Sequence, residues 1–547
     1  MKYIILVLAC FACSLLKAQE RTVNEIYSEM MTEYETGNYK KAADSFTEMM
    51  NRDGVRLRDF VLYNGVCVYA LTNQSDKAFE VLDTLTHKYF YDKLQDISTD
   101  VDLTTLRSHE KWGKVLQKIA ENQQTLPLRT RQNIKTKILQ AKTILEEDDG
   151  KLWGLNIWND SILVIDESNI IYSLLPLSDS ENQDSVYYKT IDENALSYVN
   201  TTQKYLEKTY VTLRNDYMQD YFTIVHELFH LLQNKYRIFY GMEINYFDEC
   251  DARKLLRLEY QALRNTLSAI EKNVDADSVR LLFNDALVFR KIRQSKYNEF
   301  TEKEIEIESM EGMANYTQFK LCEYKNKYQS VISEINEREE APTYTRSFSY
   351  ATGPAYGLIF DFLNVKWRKN VNSTHNFLNI YETLYTKSTV EVSDEIIAEA
   401  HNRCNYEKIE REENEKKEQN QKLLDYYSVM FEKNPTLRVK FNSDEYSRSY
   451  NMYGTLVFKD KGTIYSSIKG TDVSLKNFGD FSTISGKDEL GVAGILSYEK
   501  DGVSFFEYPL PINIEGNKIT GDFYEIILND GYKIINTENG NMEIVKQ

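Results

Sequence analysis

Between Leu177 and Ala341 the chain has no proline and only two glycines, Gly241 and Gly312. So long a run without breakers, with apolar residues recurring at three- and four-residue intervals, predicts a mostly helical core. Residues 150 to 213 read differently. The β-branched runs Ser161-Ile162-Leu163-Val164-Ile165, Asn169-Ile170-Ile171-Tyr172 and Thr209-Tyr210-Val211-Thr212-Leu213 predict a small sheet packed against those helices. Beyond Asn434-Pro435 the pattern becomes alternating strands between Gly, Asp and Asn turns, as in Gly454 to Phe458 and Tyr524 to Tyr532, which predicts a sandwich or barrel.

The chain has 547 residues, enough for two to four domains. Residues 20–122 read as paired amphipathic helices, because Gly37-Asn38-Tyr39-Lys40-Lys41-Ala42 with Phe46 and Gln74-Ser75-Asp76-Lys77-Ala78 with Leu82 repeat 36 residues apart. The segment resembles a short tetratricopeptide array capped by Asp102 to Ile119, with Ala42 and Ala78 where paired helices touch; the resemblance implies a surface for a protein partner. Residues 393–432 form a charged run, read as a solvated helical connector. The expected fold class is therefore multidomain α+β: helical hairpins at 20–122, a mostly helical domain with a small sheet at 150–392, the connector, and a β-rich domain at 434–547.

Met1-Lys2, the apolar run Tyr3 to Leu16 and the small residue Ala18 form an export signal over residues 1–18, too short to span a bilayer. Val7-Leu8-Ala9-Cys10 resembles a lipoprotein processing site, but cutting there would leave a signal of only Tyr3 to Ala9; a cleavable signal and a periplasmic or secreted protein are expected. Losing Lys2 and Lys17 takes the formal charge from −18 to −20. Nucleic acid and anionic membranes are poor partners for such a chain. Cys67, Cys250, Cys322 and Cys404 would remain, scattered and without metal-ligand pairing, either as free thiols or as disulfides.

His226-Glu227-Leu228-Phe229-His230 carries the chemistry. Two histidines four apart project from one helix face and can converge on a cation, while Glu227, about 100° further round, stays clear of the ion and can act as general base. With 6 His in the chain, chance would supply such a motif about 0.006 times. Phe222, Val225, Phe229 and Leu232 give the helix a buried face. A zinc ion needs a third protein ligand. No His lies between His230 and His375, so a carboxylate is expected, with Glu311 and Glu259 as the candidates.

Glu311-Gly312-Met313-Ala314-Asn315-Tyr316 has small residues at 312 and 314 that let a second helix come close. This segment resembles the third-ligand helix of the gluzincins, the zinc peptidases that include thermolysin and the zinc aminopeptidases, and the resemblance implies Glu311 as ligand. The interval from His230 is longer than in those two families, and Glu259 remains the fallback. Ser349 to Leu358 is similar to the Tyr-x-x-Gly segment of the aminopeptidases, which implies Tyr350 as oxyanion donor; a packed core tyrosine beside a Gly-Pro turn is the alternative. Leu258 to Leu263, Ala286 to Arg290, Glu311 to Thr317 and Tyr350 to Gly357, in that order, also resemble a bacterial family of exported His-Glu-x-x-His proteins without a settled function, over residues 150 to 540.

Asn315 stands where thermolysin has an Asp that orients a zinc-bound histidine; it could accept an imidazole N–H itself, or Glu304 or Glu308 could serve. At least three of Glu302, Glu304, Glu306 and Glu308 are expected on a solvated face. In gluzincins an edge strand holds the substrate backbone, and Tyr210 to Leu213 is the place to look. Arg346 is a candidate for meeting a substrate carboxylate. The expectation is an exported zinc peptidase in which Glu227 deprotonates a zinc-activated water and Tyr350 supports the oxyanion. The alternative is a non-catalytic protein-binding or envelope-assembly module on a similar fold.

Overall fold

The computed structural model describes residues 23–52, 57–192, 195–218, 220–235, 245–341, 343–345, 347–368, 375–441, 446–449, 455–458, 461–465, 472–475, 479–483, 494–521 and 524–546. The export signal and Arg346 lie outside the described residues. The chain forms two compact units, one of residues up to Thr136 with Asn182–Val186, the other of Lys137–Glu181 and Tyr187 onward. The boundary falls past the expected 122, and the C-terminal strands belong to the second unit rather than standing alone.

The first unit is built from α1 (Val23–Glu35), α2 (Tyr39–Met50), α3 (Asp59–Leu71), α4 (Ser75–His87), α5 (Leu94–Thr99) and the start of α6 (Trp112–Asp148). The 36-residue repeat is visible in the backbone. Gly37 and Asn73, one repeat apart, both turn the chain with left-handed φ of 80° and 57°, so α2 and α4 start at equivalent positions. Ala42, Phe46, Ala78 and Leu82 are all fully buried. The Phe46 ring lies directly over Gly65 on α3, where a Cβ would come within 2.0 Å of it.

A six-stranded sheet, of the second unit except at Asn182–Val186, runs in the order β3-β4-β2-β1-β6-β5, with β1 Ile162–Ile165, β2 Ile170–Ser173, β3 Glu181–Gln183, β4 Val186–Thr190, β5 Thr201–Tyr205 and β6 Lys208–Arg214. β1 and β6 are parallel, from Ile162 opposite Val211 to Ile165 opposite Arg214; the pairs β1–β2, β2–β4 and β5–β6 are antiparallel. All four β1 residues are buried, which explains why this strand reads as a continuous apolar run. β6 is thus flanked on both sides, and Tyr210 to Leu213 offers no free backbone. The edge strands are β3 and β5, and β5 is the one beside β6. The sequence placed the edge wrongly because β5 and β6 form a hairpin whose second strand, not its first, pairs with β1.

The helices of this unit are α7 (Phe222–Lys235), α8 (Cys250–Glu271), α9 (Ala276–Lys296), α10 (Thr301–Ile307), a π-helical turn at Glu308–Gly312, α11 (Met313–Leu321), α12 (Lys327–Glu339), α13 (Phe348–Phe362), α14 (Phe377–Ile380), α15 (Asp394–Arg403) and α16 (Tyr406–Ser428). α16 is less solvated than its charge suggests. Its Glu413, 2% exposed, accepts from Arg253 Nε at 2.9 Å and Arg257 Nη1 at 3.0 Å, so part of the connector is packed on α8. The C-terminal strands make a seven-stranded and a six-stranded sheet. Leu437, Val439 and Phe506 of the first and Ile519, Tyr524 and Ile526 of the second share one core, the arrangement of a sandwich. The four cysteines Cys67, Cys250, Cys322 and Cys404 are free thiols, and no described helix is long and apolar enough to cross a membrane.

Candidate metal centre

β6 ends at Arg214, and α7 begins eight residues on at Phe222, whose N–H is capped by Asp220 Oδ1 at 2.8 Å. Ile224, Val225, Leu228 and Phe229 are fully buried, while Phe222 and Leu232 of the expected apolar face are half-buried. Trp153 packs on Phe229 with ring centres 5.3 Å apart and donates from Nε1 to Thr317 Oγ1 at 2.9 Å, joining α7 and α11. At the far end Asn234 donates to Thr202 Oγ1 of β5 at 2.7 Å, fixing the edge strand to the motif helix.

His226, Glu227 and His230 are 7%, 7% and 6% exposed, and Glu311 is 2% exposed. His226 Nε2 and His230 Nε2 are 3.0 Å apart; Glu311 Oε2 lies 3.5 Å from the first and 3.2 Å from the second. Among the described residues, these three form one of two groups with ligand atoms close enough to share an ion; the other is Cys67, Asp100 and Asp102. Tetrahedral zinc with bonds of about 2.0–2.1 Å requires its ligand atoms about 3.3 Å apart, and the observed spacings bracket that value. The electrostatics also suit a cation. Burial alone would keep the His230 imidazole neutral, yet the adjacent Glu311 carboxylate outweighs it and pushes the pKa up to about 9. Glu311, despite its own burial, is held well below the usual carboxylate range by the two imidazoles.

The π-helical turn explains how Glu311 reaches this point. In a regular helix Glu304, Glu308 and Glu311, at i, i+4 and i+7, share one face. The wider turn at Glu308–Gly312 rotates the residues after it about the helix axis, so Glu304 and Glu308 point one way and Glu311 another. Glu304 and Glu308 are fully buried, contrary to the expectation that at least three of the four acids are solvated; only Glu302 and Glu306 are exposed. They meet Arg290 and Arg293 of α9, with Arg290 Nη2 2.6 Å from Glu308 Oε1 and Arg293 Nη1 2.6 Å from Glu304 Oε2. Glu259 joins the same network, accepting from Arg290 Nε and Tyr356 hydroxyl, each at 2.9 Å. Glu259, Glu304 and Glu308 therefore belong to an internal ion-pair cluster and not to the histidines.

α13 lies against the π turn glycine to glycine: a Cβ on Gly353 would be 2.3 Å from Gly312 Cα. The small residue at 312 does admit a second helix, and that helix is α13. It carries Tyr350, whose hydroxyl donates to Glu311 Oε2 at 2.6 Å and whose ring lies 5.9 Å from that of His226 and nearly parallel to it. Pro354 within α13 has no N–H to offer the Tyr350 carbonyl. Asn315 Nδ2 supplies the donor instead at 2.6 Å, so Asn315 serves α13 and not an imidazole.

Two residues were missed at the sequence level. Gln233, fully buried, places Oε1 2.9 Å from His230 Nδ1, the contact considered for Asn315, Glu304 and Glu308. A polar residue one turn beyond His230 on its own face was the signal that could have found it. Arg338 of α12 sets its guanidinium 5.0 Å from the centre of the Tyr350 ring and donates to Glu334 at 2.8 Å. Burial raises the pKa of Glu334 even with that partner. The chain matches no protein-family model, no curated protein and no solved structure.

Proposed function

We propose that the chain is an exported, zinc-dependent peptidase of gluzincin type. The observation that carries this reading is the convergence of His226 Nε2, His230 Nε2 and Glu311 Oε2 to mutual distances of 3.0–3.5 Å, with the carboxylate arriving from a separate helix. These three residues would hold Zn²⁺. The ion would supply Lewis acidity, lowering the pKa of water and polarising a carbonyl.

Glu227, about 100° round the helix from His226, would take a proton from the attacking water and pass it to the leaving amine. Tyr350, whose one hydroxyl proton goes to Glu311 Oε2, would turn that proton to the oxygen on which negative charge develops. β5, tied to α7 through Asn234 and Thr202, offers an open backbone edge for an extended peptide. Arg338, beside Tyr350, is suited to a substrate carbonyl or carboxylate, the role considered for Arg346. The helical hairpins of the first unit are tetratricopeptide-like and would serve a protein partner. Residues 1–18 would direct export.

Metal analysis of protein purified without chelator should find one zinc per chain. Incubation with a diverse peptide mixture should show cleavage that a zinc chelator abolishes. Absence of stoichiometric zinc, or peptide retention without cleavage, would leave the non-catalytic binding module in its place.

A further inference from the structure

Resting on that zinc reading, we infer that Gln233 is a positioning residue that fixes which nitrogen of His230 faces the ion and couples α7 to the turn carrying Glu311. Gln233 is 0% exposed. Its side chain bonds in two directions: Nε2 donates to Ser309 O at 2.7 Å, with Met310 O at 3.4 Å, and Oε1 faces His230 Nδ1 at 2.9 Å.

The amide cannot be turned over. Ser309 and Met310 present carbonyl oxygens, which only accept, so the NH₂ group must point at them and the oxygen must point at His230. An amide oxygen also only accepts. His230 Nδ1 therefore carries a proton, and Nε2, the atom beside His226 Nε2 and Glu311 Oε2, is the nitrogen directed at the ion. Ser309 lies in the π turn with Glu311, so the same side chain links the helix bearing two ligands to the turn bearing the third. The turn is also anchored from its other side, where the His375 N–H donates to Ser309 Oγ at 2.8 Å. An uncharged amide polarises the imidazole less than a carboxylate would. His230 is then the weaker donor, and more positive charge stays on the ion.

The test uses the full chain with ¹⁵N-labelled histidine. Long-range ¹H–¹⁵N spectra of the zinc-loaded and metal-free protein should both show a protonated His230 Nδ1; an unprotonated Nδ1 overturns the inference. Zinc affinity is then measured by competition with a chelating indicator. Gln233→Met keeps the volume and removes both bonds, and should weaken zinc binding about 10- to 100-fold. Gln233→Glu restores the acceptor for Nδ1–H while losing the donor to Ser309, and should recover at least about fivefold of that loss, a rescue within the same range. Wild-type affinity in Gln233→Met, or a Gln233→Glu variant no better than Gln233→Met, shows that the residue is ordinary core. If the wild type binds no zinc, the peptidase reading falls, and a metal-free spectrum recorded well above pH 9, where the ring has given up its second proton, still decides the His230 orientation.

Discussion

Replacing Gly353 by alanine should pull Tyr350 off Glu311 without changing either residue. The added Cβ would stand 2.3 Å from both Gly312 Cα and Gly312 O, whereas carbon atoms in comfortable contact are about 3.5 Å or more apart. Both obstacles are backbone, so no side-chain rotation relieves the clash, and α13 must retreat by about 1 Å. Tyr350, one turn earlier on α13, moves with it. Its 2.6 Å hydrogen bond then stretches to about 3.5 Å, where it ceases to be one. Overpacking of this kind costs about 1–3 kcal/mol of stability, and displacing the proposed oxyanion donor by about 1 Å lowers kcat about 10²-fold or more. The assay is chelator-sensitive cleavage of a quenched-fluorescent peptide mixture, run beside zinc analysis and a thermal melt. Gly353→Ala should keep one zinc per chain, melt lower and turn over slowly. Gly357→Ala meets the Tyr316 ring, at 2.2 Å, rather than backbone, and should lose stability with less effect on rate. A folded Gly353→Ala protein cleaving at the wild-type rate would refute the coupling of α13 packing to Tyr350.

Glu227→Gln should retain zinc and lose about 10²- to 10⁴-fold in rate; unchanged turnover would remove Glu227 from the chemistry. Arg290→Met leaves Glu259 and Glu308 without a guanidinium that is itself fully buried, and should cost about 3–5 kcal/mol in denaturant titration. A loss below about 1 kcal/mol would show that the cluster is dispensable. Burial and the neighbouring Arg253 hold the Lys416 amine at about 8, below its ordinary 10.5. The unfolded chain therefore binds the extra proton between those values, stability rises with pH across that window, and the charged amine weakens the fold below it. Lys416→Met should raise the melting temperature at pH 7 by more than at pH 10; an equal gain at both would contradict the buried-charge assignment.

The legible part of this chain is what local spacing encodes. His226 and His230 announce a shared helix face at four-residue separation, and the small residues beside Glu311 announce a close helix. The start of α4 one repeat after α2 follows from matching turn residues at 37 and 73. Glu304 and Glu308 read as solvated because their partners, Arg290 and Arg293, lie on another helix, and charge periodicity looks the same whether a face meets water or guanidinium. The run Ala286 to Phe289 just before Arg290 is the one local hint that those arginines are internal. β6 reads as an edge because strand order is decided by the crossover to β1, which no residue type in 208–214 reports. Nothing in Glu308 to Gly312 marks a π turn, although that turn decides which acid reaches the histidines.

Pro354 withholds a backbone N–H from the Tyr350 carbonyl, and Asn315 donates to that carbonyl from another helix. The two positions should therefore be inherited as a pair. A descendant that regained an ordinary amide at 354 would close the gap within α13 and release 315 to drift toward other side chains, while one that lost the asparagine alone would take a donor from the very residue whose hydroxyl sits at the ligand set.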